Sequence, residues 1–417
     1  MDFTKKRWIT LAACCLINLC IGSLYAWSVF ATPLAHHLNE VQGIAEGAEN
    51  AFTAGSLAIV FTLSNALGPI TMISGGFITN KLGPQKVILL GGILFGAGMF
   101  LSGFVGSKGA LLLTYGILCG LGVGLAYGCT VGNVVKSFPD KRGLIGGVST
   151  ASYGISSVIV PFIANPLISS HGVSFTFRVL GAAFFVIIIA ASFLVLPAPA
   201  NFVPTGWTPP AATSVKREDK NWKQMLADPT FYLMIVMMTC GAVAGMMNIS
   251  QASPIAQNML GMTPAAAATV VSVLALFNVS GRILAGTASD KLGRIPTLMC
   301  SFALSIVGLL LLVLSASAGV AVFYIGIALV GLCFGALMGI FPGFTSDQFG
   351  LKYNNINYGI MFIGFAFAGY VGPNVMKSIY ASSGVYTGAF LFAAALNVVG
   401  LALSIVWRLF VDKKKKT

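Results

Sequence analysis

Charge is scarce in this sequence. Only 8% of its 417 residues are Asp, Glu, Lys or Arg, where a soluble chain carries about 25%. Twenty-four basic and eleven acidic residues cannot cover the surface of the two or three soluble domains that the length alone would suggest. Histidine is scarcer still: His36 and His37 fall in the expected first outer loop and His171 in the third. The eight cysteines (14, 15, 20, 119, 129, 240, 300 and 333) show neither metal-type spacing nor an extracellular pairing pattern, so buried, free thiols are expected. All the acids, Asp290 and Asp347 among them, are read as loop or tail residues. Without paired acids inside the apolar runs, a Ser/His/Asp set or a metal cluster, hydrolytic catalysis has no residues to work with. No catalytic residue, metal or cofactor is expected.

What the chain has in excess is apolar length. Hydrophobic residues make up 57%, in runs long enough to cross a bilayer. Twelve segments are predicted, at 8–32, 52–79, 85–105, 110–137, 143–168, 174–197, 230–253, 264–288, 295–316, 319–345, 355–379 and 385–410. The fold class is therefore an all-α polytopic membrane protein. Between the sixth and seventh segments, 198–229 is rich in Pro and charge and reads as a cytosolic linker. It separates an N-terminal bundle, 1–197, from a C-terminal one, 230–417. With the N-terminus in the cytosol, only Lys108, Arg178 and Lys377 fall outside, and Arg282 lies within a span. The positive-inside rule then places both termini in the cytosol of a cell (inner or plasma) membrane protein. The basic tail Lys413 to Lys416 is explained as a topological anchor near anionic lipid; no groove-reading element accompanies it, so no nucleic-acid partner is expected.

The chain is internally duplicated. Gly76–Gly83 (GFITNKLG) matches Gly286–Gly293 (GTASDKLG) at an offset of 210, GLGVGLAYG at 120–128 matches GLCFGALMG at 331–339 at 211, and SHGVSF at 170–175 matches SSGVYT at 382–387 at 212. Ordered matches at a near-constant offset mark two six-helix halves. The glycines in these runs stand at helical spacing, which suits close helix packing.

The pattern G-x-x-x-D-K-x-G-R, intact at Gly286 to Arg294 and altered at Gly76 to Lys86, resembles the cytosolic signature of the major facilitator superfamily. LYAWSVF at 24–30, FPDKRGLIGGVSTASYG at 138–154, NxxxR at 278–282 and NYG at 357–359 resemble its monocarboxylate-transporter-like and oxalate:formate-exchanger branch. The resemblance implies two pseudo-symmetric bundles that expose a central site alternately to each side. It also implies that the helix-eight arginine, Arg282, anchors an anion, that Tyr25, Tyr127 and Tyr153 line the cavity, and that Asp290 braces helix ends. In mammalian relatives the Asn278 position is typically an acid tied to proton coupling, and the oxalate exchangers carry a second base at the position of Phe365.

The residues themselves point the same way. Arg282 lies about 12 Å from the cytosolic loop by helical rise, where an arginine costs about 2.5–3.5 kcal/mol to insert. No acid stands in any predicted span to neutralise it, so its fork suits a substrate carboxylate; snorkelling to the interface is the structural alternative. Asn278, at i−4, shares its face and offers either an amide donor to substrate or an interhelical bond. Phe334, Met338 and Phe365, with Phe341 and Phe362, form an apolar wall that fits one carboxylate with a short tail better than a dianion. Gly286, Asp290 and Arg294 are expected to control conformation, with Asn80 and Lys81 their weaker counterparts in the first half. The expectation is a monomeric secondary transporter of small monocarboxylates such as lactate or pyruvate, coupled to a proton. Carboxylate exchange is its rival, and a non-transporting carboxylate sensor a third reading.

Overall fold

Residues 2–45, 48–199, 202–208 and 219–411 are described by the structure, a computed structural model; the basic tail Lys413 to Lys416 and the linker positions 209–218 lie outside the described residues. Among the described residues, eleven continuous apolar helical stretches are long enough to span a bilayer. One of them, Arg142–Ser192, has 51 residues. Straight, it would run about 76 Å, more than twice the ~30 Å hydrocarbon thickness. Gly172 breaks it with φ 82° and ψ 167°, a left-handed φ that glycine adopts without a Cβ penalty. The stretch is thus two helices, and the twelve expected crossings are present. We label them α1 (Phe3–Val41), α2 (Ala54–Leu82), α3 (Pro84–Phe104), α4 (Lys108–Ser137), α5 (142–171), α6 (173–192), α7 (Pro229–Leu260), α8 (Pro264–Leu292), α9 (Arg294–Ala318), α10 (Val320–Phe349), α11 (Asn354–Ser383) and α12 (Thr387–Val411). Among the described residues there is no β-strand.

Local chemistry sets the helix ends. Thr53 and Ser56 form a reciprocal capping box at the start of α2. Asp228 accepts from Thr230 N at 2.9 Å ahead of Pro229, the first residue of α7. Gly293, with φ 95°, ends α8 and begins α9; Gly83 (φ 81°) does the same between α2 and α3. The last part of the linker holds a short helix, Trp222–Leu226, capped by Asn221. There burial pushes the Asp228 carboxyl upward, but hydrogen bonds from Lys220 and Thr230 outweigh it and hold the group below its ordinary range.

Several sequence expectations need correction. α1 runs on to Val41 because Phe30, Leu34 and Leu38 continue its buried stripe. His36 and His37 therefore stand on helix, not in a loop, and the His37 Nε2 lies 3.0 Å from Ser174 Oγ. His171 is also helical, beside the break at Gly172. Asp290 and Asp347 belong to the last turns of α8 and α10: their charges are paired, so the helices need not stop before them. The eight cysteines are unbridged, but Cys300 is exposed and Cys15 half-exposed, since an apolar side chain on the outside of a span meets lipid at no cost.

The chain falls into two compact units. Unit 1 comprises Met1–Pro139, Ser152–Pro209 and Asn354–Ile360; unit 2 comprises Asp140–Ala151, Pro210–Tyr353 and Met361–Thr417. Glycine lets helices touch backbone to backbone in each. In unit 1 a Cβ on Gly91 of α3 would sit 2.8 Å from the Gly122 carbonyl of α4, and one on Gly122 would sit 2.6 Å from the Gly91 carbonyl. In unit 2, Gly331 of α10 approaches the Leu274 carbonyl of α8 to 2.8 Å in the same sense. Lipid tails are as apolar as leucine, so such van der Waals packing, rather than hydrophobic burial, holds the helices together.

Gly91→Val should therefore force α3 and α4 apart and lower stability by about 1–3 kcal/mol, the usual cost of overpacking. Thermal unfolding of the purified protein in detergent measures it: the expected outcome is a lower midpoint than wild type, and an unchanged midpoint would mean that the α3–α4 contact is not close.

Candidate functional site

In unit 2 the site is organised around Arg282. Although cationic, this side chain is only 2% exposed, and α8 carries it into a region where three backbones converge. A Cβ on Gly335 would collide with the Asn278 carbonyl, and one on Gly339 or on Gly147 of α5 with the Arg282 carbonyl. The glycines of GLCFGALMG thus bring α10 against the Arg282 turn of α8.

The guanidinium bonds only to neutral acceptors. Its Nε donates to Asn278 Oδ1 at 3.1 Å, and one terminal nitrogen donates to the Thr150 carbonyl at 2.5 Å. Among the described residues it forms no ion pair with a carboxylate. Asn278 accordingly uses its oxygen to orient the fork. Thr150 was not expected at the site, because a backbone carbonyl leaves no mark in residue type. These two bonds occupy only part of the five N–H donors of a guanidinium.

The apolar wall expected from the sequence forms here as well. Phe334 and Phe365 stack with centroids 6.0 Å apart at 26°, and Phe362 stacks on Phe365 at 4.5 Å and 26°. Phe334, Phe365 and Met338 are all buried, and the Met338 carbonyl accepts from Thr150 Oγ1 at 3.4 Å.

Unit 1 brings the three tyrosines together. The Tyr153 ring stands edge-on to Tyr25 at 4.9 Å and to Tyr127 at 5.0 Å. Tyr25 lies in a 3-10 turn, Gly22–Ala26, that interrupts α1. Gly22 lies so close to the Tyr153 carbonyl that any Cβ would overlap it. Such interruptions often mark functional hinges, and this one aims Tyr25 at Tyr153.

At the junction of α8 and α9 in unit 2 the GxxxDKxGR residues assemble into a charge network. Asp290 accepts from the Gly143 and Leu144 amides, the first turn of α5, at 2.8 and 2.9 Å, and pairs with Arg294 at 2.8 Å. Gly286 permits this approach, since a Cβ there would strike the Gly143 carbonyl. Arg294 also pairs with Asp347 at 2.8 Å, and Arg142 completes the chain at 2.7 Å. Arg142 and Asp347 were counted in the sequence as a loop base and a loop acid; only the folded chain shows them as partners. Asn80 and Lys81, the first-half counterparts, are exposed and join no such network among the described residues.

The sequence profile of the Major Facilitator Superfamily matches residues 11–373 and 237–417. The chain is 30% identical to the oxalate:formate antiporter of Oxalobacter formigenes over 404 residues, 96% of this chain and 91% of that one. It is 24% identical to monocarboxylate transporter 12 of Homo sapiens, over 98% of this chain and 82% of the human protein. Its fold matches the crystal structure of the proton:xylose symporter XylE with a TM-score of 0.74 at 14% identity, covering 98% and 97% of the two chains. Twelve spans in two related halves, the signature at Gly286 to Arg294 and a profile match over most of the chain carry one conclusion: this protein belongs to the Major Facilitator Superfamily.

Proposed function

We propose that the protein is a proton-coupled transporter of small monocarboxylates of the lactate and pyruvate class, working by alternating access. The observation that carries this reading is the buried Arg282 fork, held by neutral acceptors alone. A buried cation without a built-in counterion is matched by a ligand that brings one carboxylate. The Phe334–Phe365–Phe362 stack supports a short apolar tail and disfavours a second negative charge. Relatives named for formate, oxalate and monocarboxylates fit that chemistry. In this reading Arg282, Asn278, Tyr25, Tyr127, Tyr153, Phe334, Met338 and Phe365 contact or position substrate. Gly286, Asp290 and Arg294 set the conformational equilibrium, with Asn80 and Lys81 as weaker counterparts. The halves 1–197 and 230–417 act as the two moving bodies of a monomer, in an inner or plasma membrane with both termini cytosolic.

Proton coupling follows from energetics. A carboxyl group with a pKa of about 4 is ionised at neutral pH. Bringing the anion alone into an inside-negative cell costs about 2.3 kcal/mol per 100 mV. Among the described residues no carboxylate or imidazole joins Arg282, so the proton travels on the substrate, inside a dry cavity that disfavours the anion. The second reading, obligate carboxylate exchange, is favoured by Arg282 itself: a cation that cannot deprotonate has to be neutralised before an empty carrier can turn over.

Arg282→Lys should cut lactate uptake in proteoliposomes on the order of tenfold or more, the loss of a charge-assisted bond worth about 1.5–3 kcal/mol, while the protein still reaches the membrane. Near-normal uptake would remove Arg282 from the site. Succinate and oxalate should compete with labelled lactate far less well than pyruvate does; equal competition would mean that the phenyl wall does not face the substrate. Lactate added to de-energised proteoliposomes in weak buffer should turn the medium alkaline. If the pH stays constant and uptake requires a preloaded internal anion, exchange replaces symport.

A further inference from the structure

Unit 2 buries a polar atom that the fold itself does not use. Asn248, on α7, is 0% exposed. Its Nδ2 donates to the Ala244 carbonyl, one turn back, at 2.8 Å. Among the described residues its Oδ1 has no hydrogen-bond partner. The orientation of the amide is not arbitrary: only the nitrogen can meet a carbonyl, so the oxygen is the atom left over. A buried acceptor without a donor costs free energy, and folded chains generally avoid one. Leucine has the same branching and would carry no such cost. The Asn248 oxygen therefore calls for a donor from outside the chain.

Packing within unit 2 says where that donor would stand. α7 lies against both α8 and α10. A Cβ on Gly241 would sit 2.5 Å from the Leu337 side chain, and one on Gly245 would overlap the Phe334 ring. α7 thus runs antiparallel to α10. Asn248, three residues beyond Gly245 on the same face, lies about 4.5 Å further along, level with the turn before Phe334. That turn holds Gly331, which meets the Leu274 carbonyl of α8. Arg282 leans the same way. Helical side chains tilt toward their own N-terminus, and the Arg282 Nε reaches Asn278, one turn back toward Leu274. The unpaired acceptor, the guanidinium and the Phe334 ring therefore converge on one stretch of three helices.

We propose that Asn248 Oδ1 accepts the hydroxyl hydrogen of a 2-hydroxycarboxylate whose carboxylate is held by Arg282, and that this bond sets the carrier's preference among short acids. The inference rests on the carboxylate reading of Arg282. The hydroxyl of such an acid stands on the carbon beside the carboxylate, so one small molecule brings the fork its anion and the amide its donor. A 2-keto acid presents only a second acceptor, which the amide oxygen cannot pair with. An unsubstituted acid brings no group at all for it. A site built to bond a substrate hydroxyl discriminates against analogues that lack it. Fork, phenyl wall and amide meet three different substituents on one carbon, so the two enantiomers of a 2-hydroxy acid are told apart as well.

Calorimetric titration of the full-length protein in nanodiscs tests this, with the sodium salts of the two lactate enantiomers, pyruvate and propionate. One lactate enantiomer should bind roughly two- to tenfold more tightly than propionate, the worth of one neutral hydrogen bond, and more tightly than pyruvate and the other enantiomer. Asn248→Leu should bring that lactate down to the affinity of propionate, leave propionate unchanged and erase the enantiomer preference. Asn248→Ala, which adds no volume to the helix contact, should show the same pattern. Equal binding of lactate and propionate by the wild type, or an equal loss of both acids in the two variants, would overturn the proposal and leave the reading of Arg282 intact. Absence of binding by all four acids would overturn both.

Discussion

Arg282 holds a charge that it cannot lose, inside a helix bundle where few groups can answer it, and much of unit 2 is arranged accordingly. A guanidinium of this kind is tolerated only when its N–H groups find acceptors. Asn278 supplies one from the preceding turn, and the Thr150 carbonyl supplies another. Both are neutral, so they satisfy hydrogen bonds without cancelling charge. The close approaches at Gly147, Gly335 and Gly339 follow from the same need: side chains at those positions would hold α5 and α10 away and leave the fork without its neighbours. The result is a buried positive charge answered by neutral acceptors, which is costly to maintain.

The α8–α9 junction of unit 2 solves the opposite problem. There Arg142, Arg294, Asp290 and Asp347 neutralise one another, and Asp290 also caps a helix. Partly exposed ion pairs contribute little individually, but Asp347 answers two donor groups and Asp290 three, which fixes geometry more than it adds stability. Asn80 cannot do the same for the first half, since an amide brings no charge to a helix N-terminus. One change from acid to amide therefore makes a duplicated chain chemically asymmetric at its helix feet.

Much of the fold was legible in the chain itself. Apolar length alone predicts twelve crossings, because a bilayer demands about twenty apolar residues per helix and the chain supplies that length twelve times. The near-constant offset of the repeats marks the two halves, and Arg282 stands out because an unneutralised charge inside an apolar run has few structural explanations. The boundaries were less legible. α1 outruns its apolar segment because its buried stripe continues past the two histidines to Leu38, and Asp290 and Asp347 remain helical because distant partners satisfy them.

Sequence by itself determined the class of protein, its duplication and the identity of the buried cation, since each of these depends on composition or spacing along one chain. Tertiary structure alone decided what each polar group does. Nothing in residue type shows that Asn278 turns its oxygen to Arg282, that the Thr150 backbone completes the fork, that Tyr153 joins Tyr25 to Tyr127, or that Arg142 meets Asp347 across 205 positions. Hydrogen bonds and ring contacts depend on angles and distances between helices, and those are set only when glycine-lined backbones close on one another.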